Sequence, residues 1–175
     1  MTAVCDKYGL KLLTYGSFVS FGAYNCVNRT DSKFQCGGFL SNRWLNQPVP
    51  EIYSDTSPLT PSQRKYLDMI LTWGTWNEFQ ALLTSLSDIA TKHEVSLTNV
   101  ATRWVLQQNA VGAVIVGTRL GVSNRGEENL KAFGWGLNEE DILKINKLAL
   151  GSAGSKVDGV FAKLGDCGNE YRAMH

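Results

Sequence analysis

A chain of 175 residues is long enough for one domain with a real core, and its 43% apolar and 19% charged residues are those of a globular protein. A net charge of +1, with acids and bases mixed along the chain, argues against nucleic acid or an acidic membrane as partner. No apolar run approaches the roughly 20 residues of a membrane span, and no signal peptide is visible, so a cytoplasmic protein is expected. Its cysteines (Cys5, Cys26, Cys36, Cys167) should then be reduced, and their spacing is not that of a metal site.

Residues 2–8 read as the end of a helix stopped by Gly9. "LKLLTY" (Leu10 to Tyr15) is an apolar run of the kind that a buried parallel strand shows. A stretch without period follows, and "GGFLSNRWL" then restarts helical spacing with Phe39, Leu40 and Trp44 on one face. Residues 46–61 read as a proline-rich loop ending at Thr60-Pro61, a capped helix start with proline in the first turn. Helical spacing holds through Tyr66, Ile70 and Trp73 to Gly74.

Phe79, Leu82, Leu83, Leu86, Ile89, Ala90 and His93 recur at three and four residues, a broad helical stripe. Leu97, Val100, Ala101, Trp104 and Val105 repeat it in a second helix that Ser96 could cap. "AVGAVIVG" (Ala110 to Gly117) reads as a second buried strand. Asn124 and Glu127 form a capping-box-like start for a short helix through Phe133. Asn138, with Glu139, Glu140 and Asp141 in the next turn, starts another helix with Ile142, Ile145, Leu148 and Ala149 on its apolar face. The tail from 151 to 175 is weakly patterned.

Strand, helices, strand, helices is the alternation of an α/β protein with a parallel sheet. Two strands leave that sheet without neighbours, so the chain reads as part of something larger. Its densest polar cluster is "VGTRLGVSNRGEENLKAF", where Arg119 and Arg125 and the amides of a helix start could converge on a phosphate. On the residues alone, a surface loop whose arginines pair with Glu127 and Glu128 is equally consistent with the pattern.

"VSLTNVATRWVLQQNAVGAVIVGTRL" followed by "EENLKAFGWGLNEED" resembles the C-terminal portion of an aldo-keto reductase. "GLKLLTYG" and "GGFLSNRWL" resemble that family's seventh strand and its continuation, and "TWGTWNEFQALLTSLSDIA" with "GDCGNEYR" resembles one branch of it, read as fungal. The resemblance implies strands seven and eight of a (β/α)8 barrel, over residues 1–150, that reduces an aldehyde or ketone with NADPH. In such barrels a phosphate site follows these two strands. It implies that Tyr15 stacks on the nicotinamide, that Gly16, Ser17 and Phe18 begin the pyrophosphate loop, and that Gly37 and Gly38 continue it. It places Gly117 and Thr118, at the end of the eighth strand, among the cofactor-binding residues, with Arg119 and Arg125 on the 2′-phosphate, and Glu128 and Asn129 on the adenine amino group. Gly126 departs from the family's usual hydrophobic residue.

The family's catalytic Asp, Tyr, Lys and His come from the first four strands, so no catalytic residue is assigned here. His93 belongs to the outer helices, and Met1 reads as an internal methionine. Removing 19–35 joins the flanks as "LLTYGSF-CGGFLSNRWL", and Val19-Ser20, Thr30-Asp31 and Phe34-Gln35 can be encoded by splice donor, branch and acceptor signals. That segment therefore reads as a retained intron, with a mobile lid as the competing reading. Function follows as an NADPH-dependent reductase of a small carbonyl substrate, in detoxification or secondary metabolism. Two other classes compete with it: a truncated non-catalytic remnant or regulatory nucleotide-binding module, and a partner that completes another polypeptide's half barrel.

Overall fold

The structure, a computed structural model, describes residues 2–15, 36–52, 59–116, 126–151, 154–156 and 160. Helix α1 (Thr2–Tyr8) ends at Gly9, whose φ of 63° lies in the left-handed region that stops a helix without steric cost. Strand β1 (Leu12–Tyr15) follows and pairs in parallel with β2 (Val111–Ile115). Between them lie helices α2 (Pro61–Trp73), α3 (Trp76–Lys92) and α4 (Leu97–Leu106), and after them α5 (Gly126–Leu130) and α6 (Glu139–Leu150).

The long helices begin where the sequence places a cap. The hydroxyls of Thr60 and Thr75 accept from the amides of Gln63 and Glu78, whose side chains accept in turn from the Thr60 and Thr75 amides. Ser96 and Asn138 accept from the amides of Asn99 and Asp141. The stripes read from the sequence form the core: α3 packs between α4 and α6, and α4 also packs on β2. Phe79, Leu82, Leu83 and Leu86 of α3 are buried, as are Leu97, Val100, Ala101, Trp104 and Val105 of α4.

Residues 36–44 depart from the expected helix. They form two 3₁₀ turns, Cys36–Gly38 and Asn42–Trp44. Cys36, Gly37 and Gly38 have φ of 55°, 64° and 87°, and Ser41 is extended, so no right-handed helix can run through them. The expected burial nevertheless holds. Phe39, Leu40 and Trp44 are buried, with Phe39 and Trp44 rings 4.6 Å apart and Trp76 set edge-on to Trp44. Gln80 fastens this segment to α3, accepting from the Asn46 amide (2.8 Å) and donating to the Trp44 carbonyl (2.9 Å).

Both strands also differ from expectation, because neither is fully buried. Val111 and Val114 face the helices, but on the opposite face Leu13 is 68% and Ile115 48% exposed. Parallel strands ordinarily need both faces covered, and among the described residues only one face of this pair is. A register shift between Leu12 and Leu13 places Gly112 as an extra residue, where a Cβ would come within 2.8 Å of Lys11 Cβ.

Two carboxylates hold helix starts to distant parts of the chain. Asp141 is buried and contacts Lys92 Nζ at 2.9 Å and His93 Nε2 at 3.3 Å, tying α6 to the end of α3. Burial pushes its carboxyl up, but the hydrogen bonds and charge of Lys92 and His93 outweigh that and hold it below the ordinary value. His93 also stacks on Trp135, centroids 4.6 Å apart, as a partly buried histidine of the outer layer. At the start of α3 the Thr75 amide, and then Lys156, hold the Glu78 carboxyl at about 2. Lys156 lies 3.0 Å from Glu78 and 4.0 Å from the Trp73 ring centre, and so pins the chain just past α6 to the junction of α2 and α3.

Both carboxyls titrate lower in the fold than in the unfolded chain. Their stabilisation is complete above the unfolded pKa and is lost as pH falls through the folded one. Denaturant unfolding should therefore give a plateau above about pH 4.5 and a fall toward pH 2. Asp141→Asn should lower the plateau by about 1–2 kcal/mol and flatten part of the acid limb. Leu83→Ala, at a position with no exposure, should cost about 2–5 kcal/mol at every pH.

Candidate functional site

Parallel pairing puts the C-terminal ends of β1 and β2 side by side, with Tyr15 opposite Ile115. The chain thus passes into residues 16–35 and 117–125 from adjacent points. The assignments of Gly16, Ser17, Phe18, Gly117, Thr118, Arg119 and Arg125 lie outside the described residues, as does segment 19–35. Of Tyr15, the structure describes the backbone at the end of β1.

Gly37, Gly38, Glu128 and Asn129 are described, and the first turn of α4 holds the two segments that carry them. The Thr98 hydroxyl donates to the Leu40 carbonyl at 3.0 Å, which anchors the 36–44 segment. The next residue, Asn99, donates through Nδ2 to the Glu128 carbonyl (3.0 Å) and to Glu128 Oε1 (3.2 Å). Thr98 and Asn99 had no place in the sequence reading, because neither lies on the apolar stripe of α4. A polar residue in the first turn of a buried helix was the available signal.

Gly37 has a role internal to the fold. A Cβ there would come within 2.8 Å of Tyr66 Cδ2 on α2, and its φ of 64° disfavours any side chain. Helix α5 begins at Gly126 and spans five residues, and backbone bonds from Lys131, Ala132 and Phe133 to residues three earlier carry the turn on to Phe133. The expected end of this element is therefore reached by tighter turns, and its cap at Asn124 lies outside the described residues.

Glu128 side-chain oxygens meet Asn99 Nδ2 and, at 3.3 Å, Lys131 Nζ, with 39% of the side chain exposed. Asn129 beside it is half-buried and carries both donor and acceptor.

The sequence profile of the Aldo/keto reductase family matches residues 1–150. The chain belongs to the aldo/keto reductase family. Members of this family are oxidoreductases built on a (β/α)8 barrel. The two parallel strands with their helices are consistent with part of such a barrel. Flagellar radial spoke protein 5 of Chlamydomonas reinhardtii is 32% identical over 101 residues, which are 58% of this chain and 16% of that protein. The match thus spans about a sixth of that relative's length. No described helix of this reductase-family chain is long and apolar enough to cross a membrane.

The fold's own demand for glycine at 37 gives a direct check. Gly37→Ala should lower the stability of the ligand-free chain by about 1–3 kcal/mol, read by urea unfolding. Adding Tyr66→Ala should relieve the contact part of that loss and leave the φ part. An unchanged ligand-free stability in Gly37→Ala would refute the packing role.

Proposed function

We propose that this chain is the C-terminal, cofactor-binding part of an NADPH-dependent aldo-keto reductase that converts a small aldehyde or ketone to an alcohol. The observation that carries the reading is the fastening of two segments, at Leu40 and Glu128, to the first turn of α4. Both segments carry residues that resemble the family's cofactor contacts. In this reading Glu128 and Asn129 hold the adenine, Arg119 and Arg125 the 2′-phosphate, and Gly16 to Phe18 with Gly37 and Gly38 the pyrophosphate. The choice of NADP over NAD rests on the two arginines, whose guanidinium forks suit a phosphate monoester. The bound dinucleotide would supply the hydride, and these residues would fix its position against the end of the barrel.

The uncovered sheet face supports the further proposal that residues 1–150 form only the last part of the barrel, with 151–175 as a tail. Leu13 and Ile115 project where a complete barrel has its interior packing. The acid, base and lysine chemistry would belong to earlier strands, so this chain by itself binds and does not turn over. That makes a non-catalytic nucleotide-binding module the second reading for the chain taken alone, and the same exposed face favours it. We assign the protein to the cytoplasm, and the branch resemblance to a filamentous fungus, where a secondary-metabolite gene cluster is one setting. Segment 19–35 is then a translated intron.

Two measurements test this. Titrating the chain with NADPH should quench its tryptophan fluorescence saturably, with NADH at least about tenfold weaker if the arginines hold the 2′-phosphate. Turnover of a generic aldehyde should be absent, and robust NADPH oxidation by these 175 residues would overturn the division of labour. A message joining Phe18 to Cys36 and continuing upstream of Met1 would support both the intron and the missing strands. One that starts at Met1 and retains 19–35 would remove them.

A further inference from the structure

We propose that Asn99 is a positioning residue for the adenine end of the dinucleotide. It holds the Glu128 carboxylate as an acceptor and thereby sets a preference for a purine bearing an amino group over one bearing an oxygen. The inference rests on the reading of Glu128 as a cofactor contact, and goes beyond it by assigning the preference to a residue that need not touch the ligand.

Asn99 is 1% exposed and sits in the first turn of α4, where its own amide is bound by the Ser96 hydroxyl at 3.2 Å. Its neighbours Leu97, Val100 and Ala101 are buried in the core, so the position is rigid. Its single Nδ2 donates to both the carbonyl (3.0 Å) and the Oε1 (3.2 Å) of the same residue, Glu128. Backbone and side chain of Glu128 are thus fixed together by one nitrogen. Lys131 Nζ meets the other oxygen at 3.3 Å from the far side of the turn. A glutamate on a short turn otherwise samples several rotamers and must be ordered when a ligand arrives. Asn99 contributes to this ordering beforehand from a buried, rigid position, and preorganised groups discriminate more sharply than mobile ones.

The chemistry of the base makes the role readable. The amino group of adenine donates to a carboxylate. The oxygen at the same position in hypoxanthine accepts, and would face the carboxylate as a repelling partner. A purely structural Asn99, tying α5 to α4, would weaken binding of both bases alike when removed. A positioning Asn99 changes their ratio.

The experiment titrates the full chain with NADPH and with its hypoxanthine analogue, reading tryptophan quenching. The wild type should favour NADPH by about tenfold, the scale of one hydrogen bond to a charged group. Asn99→Leu, close in volume but without the donor, should bring the ratio to about twofold. Glu128→Ala, at a half-exposed position, should bring it near unity. If circular dichroism shows that Asn99→Leu fails to fold, Asn99→Ser is read instead, since its shorter side chain cannot span both Glu128 oxygens. An unchanged ratio in a folded Asn99 variant that still binds NADPH overturns the proposal while leaving the cofactor reading in place. Equal binding of the two nucleotides by the wild type removes the Glu128 contact and this inference together. No binding of either removes the cofactor reading itself.

Discussion

Helix α4 packs Leu97, Val100, Ala101, Trp104 and Val105 into the core with no more than 1% exposure and buries Asn99 with them, while Thr98 is half-buried. Buried donors must find partners inside the protein, and those partners define the rest of the layout. Thr98 takes the Leu40 carbonyl and Asn99 takes Glu128. Further along, Trp104 Nε1 donates to Asn146 Oδ1 at 2.9 Å and reaches α6. Just past its end, the Gln107 amide donates to the Leu137 carbonyl and accepts from the Leu137 N–H at 2.7 Å, which fixes the chain that leads into α6. One buried helix therefore sets the position of the 36–44 segment, of α5 and of α6.

The sheet obeys a different constraint. Two parallel strands carry side chains on both faces, and α4 with its neighbours can cover only one. Leu13 and Ile115 on the other face stay exposed among the described residues. A two-stranded sheet by itself is marginally stable. Here the described strands are held by the helical layer through Val111 and Val114, so the core is helical in its energetics although the family's architecture is built on a barrel.

Much of this was legible in the sequence. Apolar periodicity marked α3 and α4 because each has one face toward the core, and the caps Thr60, Ser96 and Asn138 lie where their side chains accept from the expected amides. Periodicity failed at 36–44, because Phe39, Leu40 and Trp44 reach the core from tight turns whose spacing happens to match a helix. The three left-handed residues before them leave no trace in hydrophobic pattern beyond two glycines. Strand burial was overestimated for a different reason. An apolar run reports what a strand can bury, and says nothing of how many of its faces are covered. Asn99 escaped notice because polar residues between the stripes of a helix ordinarily meet solvent. Here Asn99 is buried, and its Nδ2 finds its partners on Glu128.

The same two constraints bear on what such a chain can do. A first helical turn anchored in the core offers rigid donors at fixed spacing, and does so without any contribution from the uncovered sheet face. Moving a proton to a carbonyl asks for a titratable group in a dry, enclosed place. Among the described residues the depressed carboxyls of Asp141 and Glu78 are spent on helix starts and cross-chain ties, and His93 stacks on Trp135 beside Asp141 in the helical layer. Each of these groups is already committed to holding helices together. Among the described residues these groups therefore serve the fold, and the faces of Leu13 and Ile115 are the part of the sheet that the helical layer leaves uncovered.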